Sequence, residues 1–252
     1  MPFTEETLDF MALNRVMDSR EWFHQHRGEY LRLVVEPMAE LVEDMAPAMW
    51  KIDPSLIIIP KVGKSISRIW RDTRRRSTRA KRQAIHTESI SRIWRDTRRG
   101  PGLPIYRDVM WITLLRAKYE GYPSFWFEFS PRCLRWGCGW YQTDPAIMEC
   151  IRGMILAHDP DWLAALEAFE KQRVFSLEDE RYKRTRHPDA PENERSWLDQ
   201  KSLCLTHEET GLDLLYSDKL SGTLTRDFGR IVPVYDFFLK AVGLARLNEH
   251  VN

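Results

Sequence analysis

The spacing of apolar residues changes twice along the chain, and this constrains the fold more than any other feature. In the first fifty residues apolar side chains recur at three- and four-residue steps, the period of an amphipathic helix. The segments 109–115, 125–129 and 134–141 are short and rich in aromatic and β-branched residues, as strands are. Helical spacing returns after Pro145. The order predicts a single α+β domain with N-terminal helices, a central, mostly antiparallel sheet and C-terminal helices.

Prolines and capping residues predict where the helices begin. Pro37 interrupts the helical pattern, so two helices are expected to meet there. Asp144 and Asp159 each precede a proline, the usual opening of a helix. Two further helices are expected over 218–228 and 233–247. Segments 125–129 and 134–141 predict a hairpin, and the charged, proline-containing stretch 176–196 predicts an irregular surface excursion.

Composition and termini exclude several classes of protein. Hydrophobic residues make up 43% of 252 residues, enough for a sizeable core, so a disordered chain is excluded. No apolar run approaches the ~20 residues of a membrane helix, and no basic and apolar leader is visible at the N-terminus. The 4 cysteines form no C-x-x-C pair, which favours free thiols in a reducing compartment. We therefore expect a cytoplasmic protein without membrane contacts.

One sequence of eleven residues occurs twice without a change. Residues 65–75 read SISRIWRDTRR, and residues 89–99 repeat them. Solenoid repeats diverge and need about three copies to build a core, so two perfect copies predict a local tandem duplication. The 24-residue unit 65–88 carries eight basic and two acidic residues, a net +6, so the chain of charge +1 would carry −5 without it. Since the basic surplus is concentrated in this unit, nucleic acid is not the favoured partner.

Several motifs resemble a known family when they are taken in order. They are Arg20-Glu21-Trp22-Phe23, His26-Arg27, Tyr30, Pro37-Met38, the motif of the repeat, Gly137-Cys138-Gly139, Tyr141, Pro145, Ile151-Arg152 and Lys201. This order resembles the bacterial and fungal family named Domain of Unknown Function 2461 over nearly the whole chain. The family has no established activity, so the resemblance implies no reaction and no substrate.

The repeat is where the chain departs from that family. Family members resemble one another in a single motif, followed closely by Phe, an Asp-Lys pair and Pro-Tyr, and the Asp-Lys pair follows neither copy here. An Asn-Asn pair of the family is replaced by Met17-Asp18. Only one copy can occupy the family position. The spacing to Tyr106 favours the second copy, which would make 65–88 an inserted or mobile loop.

Three arginines and an aspartate within seven residues suggest an anion site. Arginine presents a planar fork of donors that binds phosphate or carboxylate in bidentate fashion, and an aspartate inside the cluster can orient a guanidinium. Tyr106 and Arg107 would flank the anion, and two glycines would let backbone approach it. The residues predicted for this site are Arg92, Arg95, Asp96 and Arg98 of the second copy, with Tyr106, Arg107, Gly137, Gly139 and Lys201.

The same residues have structural interpretations, which stay open. The arginines could form internal ion pairs with acidic helices, the glycines could pack beneath bulky tryptophans, and Lys201 could pair with an acidic group instead of approaching the arginines. His24 and His26 lie two apart and have no partner at metal-ligand spacing, so no metal is expected and no particular cofactor is indicated. We expect a protein that binds a small anionic ligand and, if it is an enzyme, one of unknown reaction. The alternative is a non-catalytic structural or interaction protein.

Overall fold

A computed structural model describes residues 3–69, 104–117 and 120–251. The N-terminal part is helical, and its two longest helices begin and end with recognisable sequence signals. In the capping box of the first helix the Thr7 hydroxyl accepts the Thr4 amide. Pro37 lies in the first turn of the fourth helix, which follows directly on a π-helical turn, so the chain stays helical across the predicted junction. The elements are α1 (Glu5–Met17), α2 (Arg20–Gln25), α3 (Arg27–Tyr30), a π-helical turn (Leu31–Val35) and α4 (Glu36–Ile52).

Five strands form one sheet in which every neighbouring pair is antiparallel. The order across the sheet is β1-β2-β3-β5-β4, and β2 and β3 form the expected hairpin. The strands are β1 (Met110–Leu115), β2 (Ser124–Phe129), β3 (Leu134–Gly139), β4 (Ser176–Leu177) and β5 (Cys204–Glu209).

After β3, the described residues form the helices α5 (Pro145–Leu156), α6 (Pro160–Lys171), α7 (Glu192–Leu198), α8 (Leu220–Gly229) and α9 (Val232–Val251). The prolines of Asp144-Pro145 and Asp159-Pro160 open α5 and α6 as predicted, and each aspartate accepts a backbone N–H of its helix. The prediction of an irregular stretch over 176–196 is wrong in part, because β4 and much of α7 lie within it.

The two faces of the sheet differ in chemistry. Along β2, Phe125, Phe127 and Phe129 alternate with Trp126 and Glu128, and the three phenylalanines are buried on the face that the helices cover. On that face the Phe125 ring lies 5.1 Å from the ring of Phe228 in α8. The fold is α+β, with helices at both ends of the chain and an antiparallel sheet between them. Within the described ranges, no helix is both long and apolar enough to span a membrane.

The beginning of the first repeat copy is built into this sheet. The Thr113 amide donates to the Ser65 carbonyl at 2.8 Å, and the Ser67 amide donates to the Trp111 carbonyl at 2.9 Å, so residues 65–67 run along β1. Ile69 is fully buried. The prediction that an inserted loop begins at Ser65 is therefore wrong for 65–69, because these residues pair with β1 and fill the core. The second copy, 89–99, lies outside the described residues.

The packing of Ser65 is compatible with a 24-residue insertion that begins later in the chain, at residue 76 instead of residue 65. Because the two copies are identical, removing 65–88 and removing 76–99 yield the same 228-residue sequence. That sequence keeps one copy, joined on one side to Lys64 and on the other to Gly100. An extra unit of net charge +6 is thus compatible with a first copy whose beginning is packed in the core.

Candidate functional site

The structure does not bring all the predicted site residues together. Arg92, Arg95, Asp96 and Arg98 lie outside the described residues. Tyr106 and Arg107 precede β1 at the end of the sheet where Met110 and Glu209 lie. Lys201 precedes β5 at the other end of the strands, where Gly139 pairs with Cys204. A six-residue strand spans about 20 Å, so Lys201 does not approach Tyr106 or Arg107.

Tyr106 is held between the N-terminal helices and β1. It is 4% exposed, and its ring stacks on that of Phe23 at 5.0 Å between centroids. The carboxylate of Asp18 accepts the Tyr106 amide at 3.3 Å and also the amide of Ile105. Burial raises the pKa of the Tyr106 phenol, the charge of Arg20 opposes this, and the charge of Asp18 adds to it. The phenol is therefore neutral at physiological pH.

Arg107 joins β1 to the repeat. Its backbone amide donates to the Ile69 carbonyl at 3.0 Å, and its guanidinium carbon lies 4.8 Å from the centre of the Trp111 ring. The side chain is buried, and such contact between a guanidinium and an indole is attractive. Beside it, Asp108 forms an ion pair with Arg15 of α1. Ile69, the fifth residue of the motif, is thus bonded to a residue with a buried guanidinium.

Gly137 and Gly139 lie where the backbone of β5 comes close to β3. A Cβ on Gly137 would stand 1.9 Å from the Leu205 carbonyl oxygen and 2.9 Å from the Trp126 ring, and one on Gly139 would stand 2.3 Å from the Leu203 carbonyl oxygen. Gly139 also has φ = 136°. Neighbouring chain fills the space that these glycines leave. The packing interpretation therefore fits them better than an approach to ligand.

A row of charged residues crosses the second face of the sheet, and sequence reasoning missed it. Register places Trp111, Glu128, Arg135 and Glu208 side by side on four strands. The Arg135 guanidinium lies 2.7 Å from Glu178, 3.3 Å from Glu208 and 3.7 Å from Glu128. Burial raises the pKa of Glu128, and Arg135 opposes that rise only in part. The alternation along β2 indicated which residues share this face, but not their partners.

A second missed cluster joins α4, β1 and α9. Asp53 is 3% exposed, accepts two hydrogen bonds from Arg116 at 2.6 and 3.2 Å, and accepts one from the Tyr235 hydroxyl at 2.6 Å. Burial raises the pKa of Asp53, but the hydrogen bonds of Arg116 and Tyr235 and that of the Ser55 amide outweigh it, so the pKa lies below its usual value. No local signal could reveal a pair 182 residues apart.

The histidines and cysteines of the described part make no metal site. His26 lies 2.8 Å from the Trp22 carbonyl through Nδ1 and stacks on the Trp22 ring at 4.0 Å. No group of three or more His, Cys, Asp or Glu side chains in the described ranges could hold a metal ion. All 4 cysteines are free thiols, and burial raises the pKa of Cys138 well above its usual value, which disfavours the reactive thiolate.

Comparison with known proteins identifies one family. No curated protein and no solved structure matches the chain. The model of the family described as "Conserved hypothetical protein (DUF2461)" matches residues 6–81 and 76–237. Each matched segment contains one copy of the repeated motif, and together they cover most of the chain. The chain therefore belongs to the DUF2461 family.

Proposed function

We propose that the protein binds a small phosphate- or carboxylate-bearing anion through the arginines of the repeated motif, next to Arg107. The observation that carries the proposal is the hydrogen bond from the Arg107 amide to the Ile69 carbonyl. This bond joins Ile69, which precedes the motif's later arginines, to Arg107, whose guanidinium is buried next to Tyr106 in the sequence. In this proposal Tyr106 and Arg107 flank the anion.

Covalent geometry limits how far the motif's arginines can lie from this point. An extended residue spans at most ~3.6 Å, so the Cα atoms of Arg71 and Arg74 lie within about 7 and 18 Å of that of Ile69. From the other side, Arg98 precedes Pro104 by six residues, a length of extended chain of at most about 22 Å. We propose that these arginines bind the oxyanion together, because each guanidinium offers a bidentate fork.

The two copies contribute different arginines to this proposal. The first copy, whose residues 65–69 are packed, supplies Arg68, Arg71, Asp72 and Arg74. These correspond in order to Arg92, Arg95, Asp96 and Arg98 of the second copy. The site predicted from sequence, Arg92, Arg95, Asp96 and Arg98, consists of the same motif residues 24 positions later in the chain. In the 228-residue chain that lacks one unit the two versions become one, so this chain is the better reagent.

Thermal unfolding in the presence of a panel of phosphates, nucleotides and carboxylates tests the proposal. A ligand present at 100 times its Kd stabilises the native state by about 2.7 kcal/mol. We expect one member of the panel to raise the Tm with a saturating dependence on concentration. No shift with any anion, together with a loss of about 3 kcal/mol or more for Arg95→Ala, would contradict it and favour internal ion pairing.

The structure also favours a second candidate, a non-catalytic structural or interaction protein whose arginines are paired internally. Arg135 is surrounded by three carboxylates, and Arg116 is bidentate to Asp53. If the motif arginines behave in the same way, their removal lowers stability with or without anions. The dependence of Tm on ligand in Arg74→Gln separates the two candidates, because an ion-paired arginine contributes nothing to a ligand-induced shift.

A further inference from the structure

The ring of Tyr182 lies among three cationic side chains. They are at the end of the sheet opposite to Arg107. The guanidinium carbon of Arg186 is 4.2 Å from the centre of the ring, that of Arg152 is 5.8 Å, and the Lys201 Nζ is 5.8 Å. Each distance is within the range of a cation–π contact. These residues come from three parts of the chain, α5, the excursion before α7 and the segment before β5. The tertiary fold therefore assembles a positive cluster here.

Arg152 is the fixed member of this cluster. Its side chain is buried and donates to the Leu198 carbonyl at 3.1 Å, to the Gln200 carbonyl at 2.8 Å and to Glu149 at 2.7 Å. Two nitrogens of its guanidinium thus donate to the last residue of α7, Leu198, and to Gln200, the residue before Lys201. Arg152 acts as a positioning residue that fixes the backbone from which Lys201 projects.

The backbone around the two exposed cations is also fixed. The Lys201 amide donates to the Glu180 carbonyl at 3.0 Å, and the Tyr182 amide donates to the Asp199 carbonyl at 2.9 Å. The buried carboxylate of Asp199 accepts the Thr185 hydroxyl at 3.0 Å and the Arg186 amide at 3.1 Å. The charged ends of Arg186 and Lys201 remain exposed on this scaffold.

The charges of the cluster define the ligand. Glu149 offsets Arg152, and Asp179 pairs with Arg181. The Asp199 carboxylate accepts hydrogen bonds from the Thr185 hydroxyl and the Arg186 amide and keeps its own negative charge beside the cluster. Arg186 and Lys201 add two exposed positive charges next to the ring of Tyr182, and these attract an anion. Arginine supplies a planar fork and lysine a point charge, a combination suited to a phosphate group.

We propose that Arg186 and Lys201 bind a phosphate group beside Tyr182, at a second anion site separate from the one near Arg107. The ligand class is a small phosphate monoester or inorganic phosphate, and an ester binds with additional contacts to the ring of Tyr182. This site uses Lys201, which the sequence placed with the arginine motif, and it does not depend on the proposed function of that motif.

Titration calorimetry with inorganic phosphate at low ionic strength tests this site. We expect saturable binding that weakens about tenfold or more in Lys201→Met and in Arg186→Gln. The matched control is Lys219→Met, an exposed lysine outside the cluster, which should leave the Kd unchanged. Circular dichroism of each variant checks that the fold is kept, as is expected for exposed positions.

Three further titrations separate this site from its alternatives. Binding should persist in the 228-residue chain carrying both Arg71→Gln and Arg74→Gln, which removes two of the four motif arginines and leaves Lys201. A phosphate monoester that binds more tightly than phosphate identifies the ester as the ligand, and equal Kd values identify phosphate itself. No saturable binding to the unmodified chain, or Kd values within twofold of it in both Lys201→Met and Arg186→Gln, would overturn the proposal.

Discussion

The backbone N–H of Arg107 donates to the carbonyl oxygen of Ile69 at 3.0 Å, and this bond joins the two ends of the stretch 70–103. The described residues on either side of that stretch therefore lie side by side, whatever its length. Insertions at such a position cost little, because loop-closure entropy depends only weakly on length. A duplicated unit can therefore be carried without a change to the sheet.

Removing 24 of the 34 residues between Ile69 and Pro104 should leave a folded protein. Loop-closure entropy predicts that the shortened chain is more stable by about 1 kcal/mol. Urea denaturation of the 252- and 228-residue chains measures the difference. A 228-residue chain that fails to fold would show that the second unit belongs to the core, which contradicts a duplication outside it.

The two repeat copies should respond differently to the same substitution. Ile69 is fully buried beside β1, so Ile69→Ala should destabilise the protein by about 2–5 kcal/mol. Ile93 occupies the same position in the second copy and is the matched control, since its local sequence is identical. If only one copy is packed, Ile93→Ala costs far less. Equal losses in chemical denaturation would mean that both copies contribute to the core.

Gly137→Ala should be severely destabilising. Its Cβ would meet the Leu205 carbonyl oxygen at 1.9 Å, and this backbone atom can yield only if β3 and β5 separate. We expect a loss of about 3 kcal/mol or more, at the upper end of overpacking effects. Gly153→Ala in α5 is the control, because its Cβ enters open space and alanine favours a helix by up to about 1 kcal/mol. A mild effect of Gly137→Ala would show that this position is open, as a ligand approach requires.

The Tyr235 hydroxyl should contribute to stability, whereas that of Tyr30 should not. Tyr235→Phe removes the 2.6 Å hydrogen bond to buried Asp53 and should cost about 1–3 kcal/mol. The Tyr30 hydroxyl is equally inaccessible and has no hydrogen-bond partner among the described residues, so Tyr30→Phe should be nearly neutral. Urea denaturation of both variants at neutral pH gives the comparison. Equal costs would contradict the assigned bond.

The contribution of Asp53 should depend on pH in a defined direction. Its pKa is lower in the folded than in the unfolded state, so its stabilising effect is complete above the unfolded pKa of about 4 and is lost as pH falls through the folded pKa. The stability difference between the unmodified chain and Asp53→Asn should therefore be constant above about pH 5 and shrink in acid. A difference that grows on acidification would reverse the sign of the shift.

The order of elements could be predicted from sequence because it depends on local signals. The aspartates before Pro145 and Pro160 cap their helices directly, and the alternation of Phe125, Phe127 and Phe129 marks a strand with one buried face. The helix within the stretch 176–196 was harder to predict, because α7 is only seven residues long and its sequence is charged. Its stability comes from Trp197, buried against Trp162, a tertiary contact that local spacing does not reveal.

The candidate site was less predictable for the same reason. Lys201 and Arg107 both carry positive charge and both belong to family-like motifs. Strand register nevertheless places them at opposite ends of the strands. The glycines between tryptophans suggested close approach, and the approaching group is the backbone of β5. Clusters such as Asp53 with Tyr235 require the fold itself, because their members are far apart in sequence.

The most direct test of the proposed function is the ligand-induced change in Tm of the 228-residue chain, compared with its Arg71→Gln, Arg74→Gln double variant. The chain keeps one motif, so no second copy can substitute for the lost arginines. Arg226→Gln, an exposed arginine on α8, is the matched control, and Lys201→Met in every chain removes the second proposed site. An anion of the panel should raise the Tm of the parent and of the control, and should have little effect on the double variant. A shift of the same size in the double variant, or no shift with any anion in the parent, would contradict binding by the arginine motif.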